Sequence, residues 1–241
     1  MDRAYSRTVA VGHSARVHDN CRMSDHRPWT DLAEPERLER AVRVILVGAE
    51  STGTTTLAEA LIAHYRERFP AIATVPEYGR QFTYDLLDET AALAASNHQP
   101  EPGMDDLVWT PEHFATIARE QTALEDAAAL AAPLVVADTD ALATLLWERR
   151  YLGGTTGSER FAGELLPRRD LYLVTDHVGV PFEADEIRDG EHLRADMTRW
   201  FTEILDERGY DWRLVTGSRE KRLTDAVALI NPLLERQATD S

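Results

Sequence analysis

The residues of this chain best suited to chemistry lie between Arg43 and Leu61, which reads RVILVGAESTGTTTLAEAL. Within it, Gly48 and Gly53 are separated by four residues and followed by Thr54 and Thr55. A glycine-bounded turn between a strand and a helix gathers backbone N–H groups into a concave loop. The unpaired N–H groups of the helix's first turn add a partial positive charge. The ligand suited to such a cradle is phosphate, held by Gly48, Ala49, Glu50, Ser51, Thr52, Gly53, Thr54, Thr55 and Thr56. The spacing fits the phosphate-loop pattern G-x-x-x-x-G-K-[ST] at every position but one. Thr54 occupies the place of the lysine that bridges β- and γ-phosphates. Lys221 is the only lysine among the 26 basic residues, so no second lysine is close in sequence. Thr55 stands at the usual Mg²⁺-ligand position. Taken alone, the same stretch also reads as a strand-to-helix turn with no ligand.

Three further clusters could act on a phosphate ester. Glu77 and Arg80 lie in Pro76-Glu77-Tyr78-Gly79-Arg80, directly after the short apolar run Ile72 to Val75. Open α/β sheets bind ligands at strand C-termini, although the pair alone reads equally as a surface Glu–Arg contact opening the next helix. Leu134 to Ala137 runs into Asp138-Thr139-Asp140. An aspartate at a strand tip can hold Mg²⁺, directly or through water, or it can cap the following helix. Arg149 and Arg150 precede Gly153-Gly154-Thr155-Thr156-Gly157. Arginines beside a glycine-rich segment suit a lid that closes over phosphates, or a solvated face.

Positioning these residues requires alternating strands and helices. Apolar runs predict strands at Val44–Val47, Ile72–Val75, Leu134–Ala137, Leu171–Val174 and Trp212–Val215. Helical spacing predicts helices over Thr55–Phe69, Tyr78–Ala95, Pro111–Ala131, Ala141–Leu152, Glu191–Arg208 and Glu220–Leu234, with Leu32–Arg43 a short helix or entry segment. In Pro111–Ala131 the predicted buried face is Phe114, Ile117, Ala118, Gln121 and Leu124. Such alternation is an α/β fold, a parallel sheet with helices on both faces. Residues 31–236 are expected to form one domain, 237–241 a frayed tail. Residues 1–30 are polar and aperiodic, a disordered tail by composition. His13, His18, Cys21 and His26 fall there in no recognised zinc spacing.

The chain has 241 residues, 43% of them hydrophobic, enough for one core, and a net charge of −16. That acidity argues against a broad nucleic-acid-binding face. A single cysteine excludes a disulfide framework. No apolar run reaches membrane-spanning length and the N-terminus has no secretory h-region, so a cytoplasmic location is expected. Homo-oligomerisation is left open.

Four motifs in order, GAESTG (Gly48 to Gly53), PEYGR (Pro76 to Arg80), ADTDALAT (Ala137 to Thr144) and DLYLVTD (Asp170 to Asp176), resemble the ribosylnicotinamide kinase domain of the NadR family. VPFEADEIRD (Val180 to Asp189) fills the place of that family's VPW–DG–R loop. The resemblance runs from about Arg43 to Leu234. It implies a P-loop kinase fold with strand order 2-3-1-4-5 and transfer of the ATP γ-phosphoryl group to the 5′-hydroxyl of nicotinamide riboside. It also implies roles. Thr55 and Asp138 would hold Mg²⁺, and Glu77 would orient the hydroxyl or take its proton. Arg80 and Asp140 would hold ribose or phosphates, and Arg149, Arg150 and Arg188 would neutralise developing charge. Phe182, in place of the family's Trp, would stack on the base, with Tyr78 and Asp185 also on the substrate side. Adenine would lie near Gly217 to Arg219. Thr54 departs from the family's lysine. The competing class is therefore a non-catalytic or slow ATP-binding sensor of the same fold, and a third is an ATPase that drives a partner.

Overall fold

The computed structural model describes residues 27–66, 72–184 and 187–239. His13, His18, Cys21, His26 and Asp185 lie outside the described residues. Five strands, β1 (Val42–Gly48), β2 (Ile72–Val75), β3 (Leu134–Asp138), β4 (Leu171–Thr175) and β5 (Trp212–Val215), form one parallel sheet in the order β2-β3-β1-β4-β5. The predicted fold class and strand order are those observed. β1 is central because it is the most apolar run. Its register sets Leu46 opposite Asp138 on one side and Gly48 opposite Thr175 on the other.

Alternation along the strands splits the core into two layers. Ile45, Val47, Val135, Ala137, Tyr172 and Val174 face one side, where Leu142, Leu145 and Leu146 of α5 (Ala141–Leu152) and Met197, Phe201 and Leu205 of α7 (Arg194–Glu207) cover them. Val44, Leu46, Leu134, Val136, Leu171 and Leu173 face the other. There they meet Leu57, Ala58 and Leu61 of α2 (Thr54–Tyr65) and Ala226, Ile230 and Leu234 of α8 (Arg219–Thr239). Each large side chain buried this way contributes about 1.5–3 kcal/mol. α1 (Glu34–Arg40), α3 (Tyr78–Ser96) and α4 (Pro111–Ala131) complete the α/β layers.

The departures from the sequence reading coincide with contacts to partners distant in sequence. Helix α2 ends at Tyr65 rather than Phe69, where the Tyr65 hydroxyl donates to Asn231 Oδ1 at 3.0 Å. Helix α8 continues to Thr239 instead of fraying; Gln237 Nε2 donates to the Arg40 carbonyl at 2.7 Å. On α4, Leu124 is 40% exposed and its neighbour Glu125 is fully buried. The reason is Arg169, whose Nη2 lies 2.7 Å from Glu125 Oε2.

The Gly153–Gly157 segment is anchored at its Gly157 end. The buried Glu148 accepts from the N–H groups of Gly157 and Ser158 at 2.7 and 2.8 Å and from Ser158 Oγ at 2.5 Å. A Cβ on Gly157 would come within 1.9 Å of the Pro111 carbonyl oxygen. This anchoring positions α6 (Glu159–Ala162), an element that the sequence reading did not anticipate.

Candidate active site

The C-terminal ends of β1, β2 and β3 open into a cleft of about 420 Å³. Its floor is the turn from Gly48 to Gly53, feeding the N-terminus of α2. Glycine is required at both ends. A Cβ on Gly48 would lie 2.2 Å from Thr175 Oγ1 and 2.5 Å from Thr52 Oγ1. Gly53 has φ +87°, the left-handed region that L side chains avoid. Between them Thr52 is buried, donating to the Ala49 carbonyl at 2.7 Å and bonding Thr175 Oγ1 at 2.6 Å. Thr175 was missed from sequence; it is the polar end of an otherwise apolar strand.

Thr55 and Asp138 meet across the β1–β3 register, with Thr55 Oγ1 donating to Asp138 Oδ2 at 2.5 Å. Burial raises the Asp138 carboxyl above its ordinary range, and hydroxyls from Thr55 and Thr54 partly offset this. A hydroxyl and a carboxylate are hard oxygen donors, and Mg²⁺ typically uses one or two protein oxygens alongside phosphates and water. The pair therefore fits a nucleotide-bound Mg²⁺. The residue after it, Thr139, is held at φ +81°. For a β-branched residue this is strain of about 1–3 kcal/mol at the tip of the strand.

Glu77 opens the opposite wall. Its side chain is 27% exposed and lies 3.4 Å from Arg80 Nε. Burial in the cleft, with Asp138 and Glu50 adding negative charge, pushes its carboxyl from the ordinary 4.5 up to about 7 against the pull of Arg80 and Arg188. A carboxyl poised near neutral pH can exchange a proton with a reacting hydroxyl. Beyond it, Trp109 stacks on Tyr151 with centroids 5.3 Å apart and planes at 26°. Both rings, with Phe114, Trp147 and Met104, line the cleft. Sequence reasoning missed this aromatic wall, although Trp109 lies two residues before the start of α4 and Tyr151 lies in the helix that follows Asp138.

A family model described as "AAA domain" matches residues 43–222, well over half of the chain. The chain belongs to the AAA domain family. No curated protein matches it. Among solved structures, this AAA domain is similar to a NadR protein in complex with NAD and AMP-PNP, with TM-score 0.62 and 20% identity over 85% of this chain and 53% of that one. It is similar to a NadR protein in complex with NR, with TM-score 0.56 and 21% identity over 85% of this chain and 55% of that one. A thymidylate kinase from Ehrlichia chaffeensis superposes with TM-score 0.52 and 12% identity over 79% of this chain and 98% of that one. The chain spans about half the length of the two NadR proteins. At these identities the likeness is one of fold.

The AAA domain brings Gly48, Ala49, Glu50, Ser51, Thr52, Gly53, Thr54, Thr55, Thr56, Glu77, Arg80, Asp138, Arg188 and Arg219 to one cleft. Among the described residues, the other predicted ones do not line it. Asp140 is fully buried below the floor. It caps α5 through the Ala143 N–H at 3.0 Å, accepts from the Tyr172 hydroxyl at 2.7 Å and lies 3.2 Å from Arg169 Nε. With its oxygens so engaged it is a structural group. Arg149 lies over the Trp200 ring, 4.7 Å from its centroid. Arg150, whose side chain is 5% exposed, is ion-paired to Glu50 at 2.8 Å and to Asp189. Phe182 packs under Arg194, 5.8 Å from its guanidinium carbon, rather than lining the cleft. The Tyr78 N–H is held by Gln121 Oε1 at 2.9 Å, and its ring lies on a separate surface depression with Tyr84 and Leu124.

Proposed function

We propose that this chain transfers the γ-phosphoryl group of ATP to the 5′-hydroxyl of a nucleoside, with nicotinamide riboside the first candidate acceptor. The observation that carries the reading is Glu77. It is a carboxyl raised toward neutrality, placed in the same cleft as the phosphate loop and the Thr55–Asp138 pair. A site that only holds nucleotide has less need of such a group.

In this reading the loop amides and the first turn of α2 bind the triphosphate. Thr55 and Asp138 would hold Mg²⁺, which when bound neutralises charge on the phosphate oxygens. Glu77 accepts a hydrogen bond from the acceptor hydroxyl and takes its proton as the O–P bond forms and ADP departs. The aromatic wall of Trp109 and Tyr151 packs against a flat, electron-poor ring, since aromatic faces favour cationic or polarised partners. A NadR protein is described in complex with NR, and the chemistry of the aromatic wall suits that base. Arg188 and Arg219, which also line the cleft, supply counter-charge to the phosphates.

The deciding experiment is ADP release coupled to an indicator, with Mg-ATP, with and without nicotinamide riboside, in the parent and in Glu77→Gln. Riboside-dependent ADP release abolished in Glu77→Gln is the expected result. Thr54 favours a second reading, a sensor that binds ATP without turnover. Tight ATP binding with no ADP release for any nucleoside would establish that reading instead. ADP release indifferent to every acceptor would indicate an ATPase.

A further inference from the structure

The phosphate loop lacks its lysine, and the chain's one lysine does not replace it: Lys221 is turned to Asp225 on the exposed side of α8. A cation nevertheless reaches the loop. Arg222, one residue further on, is 5% exposed and lines the cleft. Its Nη1 donates to the Thr52 carbonyl at 2.6 Å, its Nη2 to the Asp176 carbonyl at 2.7 Å and its Nε to the Gly217 carbonyl at 3.0 Å. A Cβ placed on Gly53 would lie 3.9 Å from Nη1, so the guanidinium borders the residue next to Thr54.

Three features make this arrangement point to an anion. The acceptors of Arg222 are neutral carbonyls, and among the described residues no carboxylate pairs with it. A second buried arginine, Arg194, donates to the Ser51 carbonyl at 2.9 Å in the same loop, adding like charge. Burial, reinforced by Arg194, accordingly pushes the Arg222 guanidinium downward from its ordinary range, and Asp176 offsets only part of this. Buried charge without a counter-ion is costly, and an arriving phosphate removes that cost. Finally, a guanidinium has five N–H donors. Carbonyls take three, leaving one on each terminal nitrogen for phosphate oxygens. Arg80 and Arg219 also line the cleft but are far more exposed, so water and salt weaken the counter-charge they add.

We propose that Arg222 supplies to a bound triphosphate the fixed positive charge that a phosphate-loop lysine supplies in the general pattern. This rests on the nucleotide-binding reading above, whatever the acceptor. It makes Thr54 a relocation of charge from the loop to α8 rather than a loss.

The test is calorimetric titration of the full chain with Mg-ATP and with adenosine, with folding checked by circular dichroism. In Arg222→Gln the ATP affinity falls about tenfold or more, while adenosine affinity changes by less than about twofold. Thr54→Lys in the Arg222→Gln background restores most of the loss, and its gain there exceeds its gain in the parent by about fivefold or more. A folded Arg222→Gln that binds ATP as the parent does overturns the proposal. So does a gain of about tenfold or more from Thr54→Lys in the parent, a result readable even if Arg222→Gln does not fold. A parent chain that binds no ATP overturns the nucleotide reading and this proposal with it. A parent that binds ATP while Arg222 proves silent overturns the proposal alone.

Discussion

Glu77 and Gly48 differ in what they contribute at the scale of single residues. Glu77 resists ionisation. Its folded-state carboxyl, near 7, lies above the ordinary 4.5. Ionising it therefore works against the fold, and the stability it contributes is lost as pH rises from about 4.5 through 7. Glu77→Gln has no such loss, so its stability advantage over the parent grows across that window, by roughly 2–3 kcal/mol at pH 8. Thermal melts of both proteins at pH 5 and pH 8 check this. With Glu77 as the proposed base, the sign reverses in turnover: a base must be ionised, so kcat/KM is expected to rise with pH through about 7. Glu77→Gln lowers it about 10²–10⁴-fold. Gly48 contributes absence of bulk. Gly48→Ala forces a methyl into Thr175 Oγ1 and Thr52 Oγ1, costing about 1–3 kcal/mol and distorting the loop. Urea unfolding and ATP titration of that variant both shift.

At the scale of elements, strands were legible because each is a short apolar run ended by a polar or turn residue. β2, β5, α4 and α5 match the sequence reading at both ends. The phosphate loop and Asp138 were legible for the same reason, since their spacing is local. Asp140, Arg150 and Leu124 were not, because their environments are set by distant partners. Asp140 answers to Arg169 and Tyr172, 29 and 32 residues away, and Arg150 to Glu50, 100 residues away. The charges of α4, α5 and the segment before β4 meet at Arg169, whose side chain is fully buried between Glu125 and Asp140. Arg169→Met leaves two buried carboxylates unpaired and is expected to cost about 3–5 kcal/mol. Denaturant melts give the loss, and combining it with Glu125→Gln recovers part of it.

For the whole molecule, the cleft is built on strand ends from the middle of a single sheet, with both core layers attached to it. Occupying it therefore stabilises the molecule as a unit. At about a hundred times its dissociation constant, Mg-ADP adds about 2.7 kcal/mol, raising the melting temperature by roughly 5–11 °C for a chain of this size. Gly48→Ala abolishes that increment. Arg80 and Arg219 are partly exposed where they line the cleft, so added salt weakens ADP binding by screening them. Among the described residues no helix is long and apolar enough to cross a membrane.

The stacked Trp109–Tyr151 pair also makes this chain its own optical gauge. Of its five tryptophans, Trp109 and Trp147 line the cleft. A flat base sliding against the Trp109 indole quenches its emission, whereas a nucleotide confined to the loop end leaves that indole untouched. Quenching by nicotinamide riboside but not by ADP therefore reports the acceptor end of the cleft alone. Trp109→Phe removes that signal.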